Sequence, residues 1–224
     1  MRINDFVENL AAVKLPNVFN PYLECCSQYD KITAPETRKE ILLAVLLKAM
    51  EGGVKSLWIG RDLGYRGGRR TGLALTDEAH MKAYGERWGL SLAPVTIGPI
   101  IAEKTAGVIW HSLSQINESV FLWNVFPFHP HEAGLPFTNR SHNSFERKIG
   151  EEILNEMITM LNPEKIFAVG NDAASSLKRL SIRQENYRIR HPSFGGQNIF
   201  IRQVAQHYNL DGDKSFEDSI LSTK

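Results

Sequence analysis

Helical spacing of apolar positions alternates along this chain with short, uninterrupted apolar runs. Phe145, Ile149, Ile153, Met157 and Leu161 mark one helical face, and Asn162-Pro163 stops it. Ala106, Ile109, Leu113 and Ile116 repeat at near-helical spacing and predict a helix over 105–116. Thr33 and Pro35 open another that runs through Met50, where Gly52-Gly53 ends it. Ala79, Met81, Tyr84 and Trp88 suit a helix within 77–90, and further helices are expected over 171–180 and up to Gln206. Between them, 55–60, 119–125, 165–170 and 187–190 read as strands. Residues up to Asp30, broken by Pro16 and Pro21, are expected to form short helical turns.

Strands alternating with helices imply a parallel sheet covered on both faces. The predicted fold is therefore α/β, a three-layer α/β/α sandwich around a central, mainly parallel four-stranded sheet. It would be one compact domain, with 1–54 as a helical segment packed on a core at 55–209, and 210–224 as a polar tail.

Bulk properties narrow the function classes. At 224 residues and 42% hydrophobic content, the chain can build a sizeable core without disulfides. Cys25 and Cys26 are adjacent and cannot supply a four-cysteine metal or iron–sulfur set, so no metal and no cofactor is expected. They read as a buried pair in a reducing compartment. The first residues show no secretory signal pattern, and the longest apolar run, 41–47, is too short to span a bilayer, which suggests a cytoplasmic protein without a membrane partner. A formal charge of +1 argues against non-specific coating of nucleic acid, yet it permits a local basic patch.

Such a patch lies after the first strand, where residues 60–72 hold Arg61, Arg66, Arg69 and Arg70 among glycines, with the single acid Asp62. Glycine admits close backbone approach and arginine binds phosphate bidentately, although the spacing is neither that of a P-loop nor that of a dinucleotide fingerprint. Asn124 stands at the end of the second strand and His191 after the last. In a parallel sheet these loops share the C-terminal edge, so an acid, an amide and an imidazole converge. His129, His131 and Glu132 form a further polar cluster, read as contacts to DNA or to neighbouring side chains rather than as a metal site.

Three of these segments resemble the motifs of the uracil-DNA glycosylase superfamily. Gly60-Arg-Asp-Leu-Gly64 is similar to its water-activating motif, Phe121-Leu-Trp-Asn124 to its base-reading strand end, and His191-Pro-Ser193 to its catalytic histidine loop. The resemblance spans about residues 55–206. It extends to a poorly characterised bacterial and prophage branch through Gly64-Tyr65-Arg66-Gly67, Thr71-Gly72, Asn139-Arg140-Ser141 and Arg190-His-Pro-Ser-Phe-Gly-Gly196.

The resemblance implies an enzyme, acting as a monomer on DNA, that flips out a nucleotide and hydrolyses its N-glycosidic bond. It implies that Asp62 orients water and stabilises the positive sugar, while His191 donates to the departing base and Asn124 reads the base edge. Arg61, Arg66, Arg69, Arg70, Thr71 and Ser193 would hold phosphates, with Phe194 a wedge in the vacated stack. Leu75 occupies the slot of the phenylalanine that stacks on uracil, and Gly64 that of a tyrosine that blocks C5, which leaves space there unless Tyr65 swings in. Both departures suit a pyrimidine larger than uracil, such as a 5-hydroxymethyl or glucosylated cytosine of phage DNA, the competing explanation being a plain uracil enzyme with a relaxed pocket. Repair or anti-phage defence would follow. The alternative is a non-catalytic module on the same fold that recognises a damaged or modified base.

Overall fold

Continuous apolar runs flanked by amphipathic helices fold as buried parallel strands. In the computed structural model, which describes residues 2–210, the chain forms α1 (Ile3–Ala12), β1 (Val18–Phe19), α2 (Ala34–Gly52), β2 (Ser56–Asp62) and α3 (Gly68–Thr71). A 3-10 turn (Glu78–His80), α4 (Met81–Arg87), α5 (Lys104–Leu113), β3 (Val120–Phe126) and β4 (His129–Pro130) follow. The chain continues through α6 (Ser144–Leu161), β5 (Lys165–Val169), α7 (Asn171–Arg179), β6 (Glu185–Ile189) and α8 (Gln197–Tyr208). The expected polar tail lies outside the described residues except for Leu210, which packs against the core.

The main sheet has strand order β3-β2-β5-β6 with every neighbouring pair parallel, so all four strands deliver their loops to one edge. Helices cover both faces, as the alternation of elements predicts. Trp58, Phe167 and Tyr187 are paired across strands and share a face. There Trp58 meets Phe200 of α8 edge-on, 5.8 Å between centroids, and donates from Nε1 to the Tyr208 hydroxyl at 2.8 Å. Trp123 pairs with Ile59 and points to the other face, where Phe6 of α1 lies 6.1 Å away. Gly150 lets α6 lie on β3: a Cβ there would fall 2.4 Å from the Val125 carbonyl oxygen.

Three details depart from the sequence reading. A short antiparallel pair, β1 with β4, joins Phe19 to His129, and both strands are too short to show alternation. The first strand continues past Gly60 to Asp62, because Gly60 and Asp62 keep their ladder partners Asn124 and Phe126. The cysteines do not share one environment, since Cys26 is buried and Cys25 exposed.

The N-terminal segment braces the glycine-arginine loop from behind. The Tyr22 hydroxyl donates to the Gly72 carbonyl at 2.5 Å, and Arg38, in a buried ion pair with Asp30, donates from Nε and Nη2 to the Arg70 carbonyl at 3.0 and 2.8 Å. Breaking a buried pair of this kind by removing one partner typically costs about 3–5 kcal/mol. The loop is therefore fixed by residues far from it in sequence.

Candidate functional site

At the C-terminal edge a cleft of about 600 Å³ is walled by the ends of β2 and β5, the start of α7 and the loop after β6. Asp62, Leu75, Glu103, Asp172, His191 and Phe194 are among its lining residues. Beneath this wall the ladder sets Gly60 opposite Asn124. A Cβ on Gly60 would lie 2.4 Å from Asn124 Oδ1 and 2.9 Å from Leu75 Cδ2, so the glycine makes room for the amide and the leucine at once. Asn124 is 1% exposed, and neither its Oδ1 nor its Nδ2 has a hydrogen-bond partner. A buried amide left unpaired costs roughly 1–3 kcal/mol for each unsatisfied group, a cost that a ligand edge would remove. Leu75, which lines the cleft and reaches the same point above Gly60, has φ of 54°, in the left-handed region that leucine rarely occupies.

Asp62 ends β2 with its side chain only 5% exposed. One oxygen accepts from Nδ1 of His142, and the other from Arg61 Nε at 2.5 Å. Arg61 in turn reaches Asp172 at 3.3 Å. His142 is set in place by the capping box of α6, in which Asn143 Oδ1 accepts from the amides of Phe145 and Glu146 while Glu146 caps back. It also packs on Phe126, 5.7 Å between centroids. The result is a carboxylate held in one orientation at the cleft wall.

His191 follows β6. Its Nδ1 accepts from the Ser193 hydroxyl at 2.7 Å and from the Ser193 amide at 3.2 Å, which assigns the ring proton to Nε2. Burial, with Arg61 and Arg190 nearby, pushes its pKa below the usual histidine value, while Asp172 works in the opposite sense. A neutral imidazole with a free N–H donor therefore faces the cleft. Gly170, with φ of 94°, starts α7 beside it; a Cβ at that position would sit 3.2 Å from His191 Cβ. Phe194 crowns the loop at 97% exposure with φ of 50°.

Other expected site residues sit elsewhere. Arg69 is 3% and Arg70 8% exposed, and Thr71 is fully buried. Arg69 lies 3.8 Å above the Phe19 ring, donates to the Tyr29 hydroxyl at 2.7 Å and reaches His129 Nδ1 at 3.0 Å. Arg70 covers the Tyr29 ring at 4.0 Å and pairs with Glu78, Nε to carboxylate oxygen 3.0 Å. Thr71 bonds the Leu73 amide at 3.0 Å and the Thr76 carbonyl at 2.9 Å. These three hold the loop together and are not presented to a phosphate, which corrects their expected role. Arg66 is exposed, Arg61 and Ser193 are partly so, and Tyr65 is half-buried without lining the cleft. His129 is fully buried, its Nε2 donating to the Thr138 carbonyl at 2.9 Å, so it touches neighbouring side chains as one of its two readings anticipated.

The space beside Gly64 also differs from expectation. Both carboxyl oxygens of Glu103 stand 3.5 Å from where a Gly64 Cβ would be. Sequence reasoning passed over Glu103 and His142. His142 directly follows the Asn139-Arg140-Ser141 segment that had been singled out, whereas Glu103 lies in a stretch with no local signal. Among the described residues no three or more His, Cys, Asp or Glu side chains are grouped to hold a metal ion, and no helix is long and apolar enough to cross a membrane.

A parallel four-stranded sheet between helical layers, with its polar cleft at the C-terminal edge, is the uracil-DNA glycosylase-like fold. Among solved structures, SMUG2 of Pedobacter heparinus superposes with a TM-score of 0.62 at 14% identity, covering 95% of this chain and 100% of that one. A mimivirus UNG variant in complex with UGI gives a TM-score of 0.38 at 12% identity over 87% of this chain and 71% of that one. The sequence matches no family model, and no curated protein is significantly similar to it.

Proposed function

We propose that the protein is a DNA glycosylase that extrudes a pyrimidine nucleotide and hydrolyses its N-glycosidic bond, leaving an abasic site and using no cofactor. The observation that carries this reading is the unpaired, buried Asn124 amide beneath a cleft whose walls present Asp62 and His191. An amide offers donor and acceptor side by side, which matches a pyrimidine edge. As the bond breaks, the base departs with negative charge and the sugar becomes positive. The neutral His191 donates from Nε2 to the developing oxyanion, and the Asp62 carboxylate stabilises the cation and orients the water that adds to it. The exposed Phe194 is positioned to fill the gap in the stack, and Arg61, Arg66 and Ser193 to meet phosphates.

The substrate we favour is a 5-substituted cytosine of phage DNA, with uracil as the smaller alternative. Leu75 grips a bare ring less than an aromatic side chain would, and a cleft of about 600 Å³ is of the size that holds ligands larger than one pyrimidine. A monomer of the bacterial and prophage branch acting in the cytoplasm in defence or repair fits this reading. Duplexes carrying uracil, 5-hydroxymethylcytosine or its glucoside, incubated with the protein and treated with mild alkali, test it. Strand scission is expected with the parent and lost with Asp62→Asn. Retention of the duplex without any alkali-labile site would instead identify a binding module.

A further inference from the structure

Glu103 lies between α5 and the glycine loop, and its position is built from both sides. Its backbone amide donates to Asp77 Oδ2 at 2.6 Å, while Asp77 itself is fully buried and caps the 3-10 turn through the His80 amide at 3.1 Å. Its carboxyl enters the cleft where two glycines leave space. A Cβ on Gly67 would lie 2.3 Å from Glu103 Oε2, so only glycine at 67 lets the carboxyl stay. Among the described residues this carboxyl accepts no hydrogen bond, although burial and the neighbouring Asp77 push its pKa up, with Arg66 opposing. A half-buried acid so placed costs the empty protein some stability, which Arg66 offsets only in part.

We propose that Glu103 is a specificity-determining residue that recognises a hydroxyl-bearing substituent on the extruded pyrimidine. The proposal rests on the base-excision reading above and names the substrate feature that reading leaves open. The choice of a hydroxyl follows from proton bookkeeping. An exocyclic amine donates to the carboxylate or to the carbonyl oxygen of the acid but cannot accept the acid's proton, and a carbonyl requires the protonated acid as donor. A hydroxyl both donates and accepts, so it pairs with Glu103 in either state and tolerates a raised pKa. A hydroxymethyl group or a sugar appended to the base supplies that hydroxyl, whereas uracil and thymine do not. Gly64 and Gly67 then have one shared purpose, which is to leave the wall open for the acid and the substituent together.

The test compares single-turnover release of 5-hydroxymethylcytosine and of uracil by the parent, Glu103→Ala, Glu103→Gln and Gly67→Ala. The expected result is that the preference for the hydroxylated base falls at least tenfold in Glu103→Ala, falls likewise in Gly67→Ala, whose new methyl group evicts the carboxyl, and is largely restored in Glu103→Gln, which can still pair with a hydroxyl. An unchanged ratio in Glu103→Ala overturns the proposal and leaves base excision standing. Binding of the same two duplexes is measured by fluorescence anisotropy in a His191→Ala background. There, loss of discrimination on adding Glu103→Ala supports the assignment, and retained or absent discrimination overturns it. Should no duplex yield free base with the parent, base excision fails, and the binding comparison still decides the role of Glu103.

Discussion

Two histidines in this chain precede proline and look alike in sequence, His129-Pro130 and His191-Pro192, yet the fold treats them oppositely. His129 is fully buried with both ring nitrogens engaged, by Arg69 and by the Thr138 carbonyl. Burial and Arg69 hold its pKa down at about 3, so it stays neutral and acts as a spacer between elements. His191 has only Nδ1 engaged, and its Nε2 faces a cleft. What separates a closed imidazole from an open one is thus the second nitrogen, a property of the neighbours and not of the dipeptide.

The largest effect should come from the open histidine. His191→Ala is expected to slow base release by about 10²–10³-fold, as loss of one oxyanion donor does elsewhere, with the melting temperature little changed. Equal single-turnover rates in variant and parent would erase the contrast. Next is the closed one's partner. Arg69→Ala leaves the Tyr29 hydroxyl and His129 Nδ1 buried without their donor and should lower stability by about 3 kcal/mol in denaturant titrations, while the salt dependence of DNA binding stays as in the parent.

The contrast can also be read from pH. His129 has a folded pKa far below the ordinary histidine value of the unfolded chain, so its contribution to stability is complete above about pH 6.5 and is lost as pH falls from there toward 3. The slope is at most about 1.4 kcal/mol per pH unit, and denaturation curves between pH 7 and 5 should show a shallower decline in His129→Gln. Arg66→Ala, in contrast to Arg69→Ala, should reduce the salt slope of DNA binding by about one, because Arg66 is exposed. The smallest change is expected from Ser193→Ala: the backbone amide of residue 193 still holds His191 Nδ1, so base release should fall by about tenfold or less.

Much of the architecture was legible because it rests on local pattern. The face from Phe145 to Leu161 became α6, and the four expected strands, three of them apolar runs, became four parallel strands within a residue or two of their expected limits. Asp62, Asn124 and His191 were brought to one edge because that convergence follows from strand direction. The arginines were misjudged because the same ten residues hold solvent-facing and interior guanidinium groups, and only Phe19, Tyr29 and Glu78, distant in sequence, decide which is which. Glu103 was invisible for the same reason, since the space it occupies is defined by Gly64 and Gly67 across the cleft.

In the proposed reaction Leu75 would give recognition an order in time. Its side chain and the Asn124 amide crowd the same point above Gly60, and the amide is buried, so in the proposed reaction a duplex with its bases stacked would not reach it. In that reaction a nucleotide that has left the helix would have to press the leucine aside to reach the amide, and the left-handed backbone at this residue would favour its yielding. In a base-excising protein, scanning and interrogation would then be separate events divided by one side chain, and the protein could travel along intact DNA without lingering at each pyrimidine.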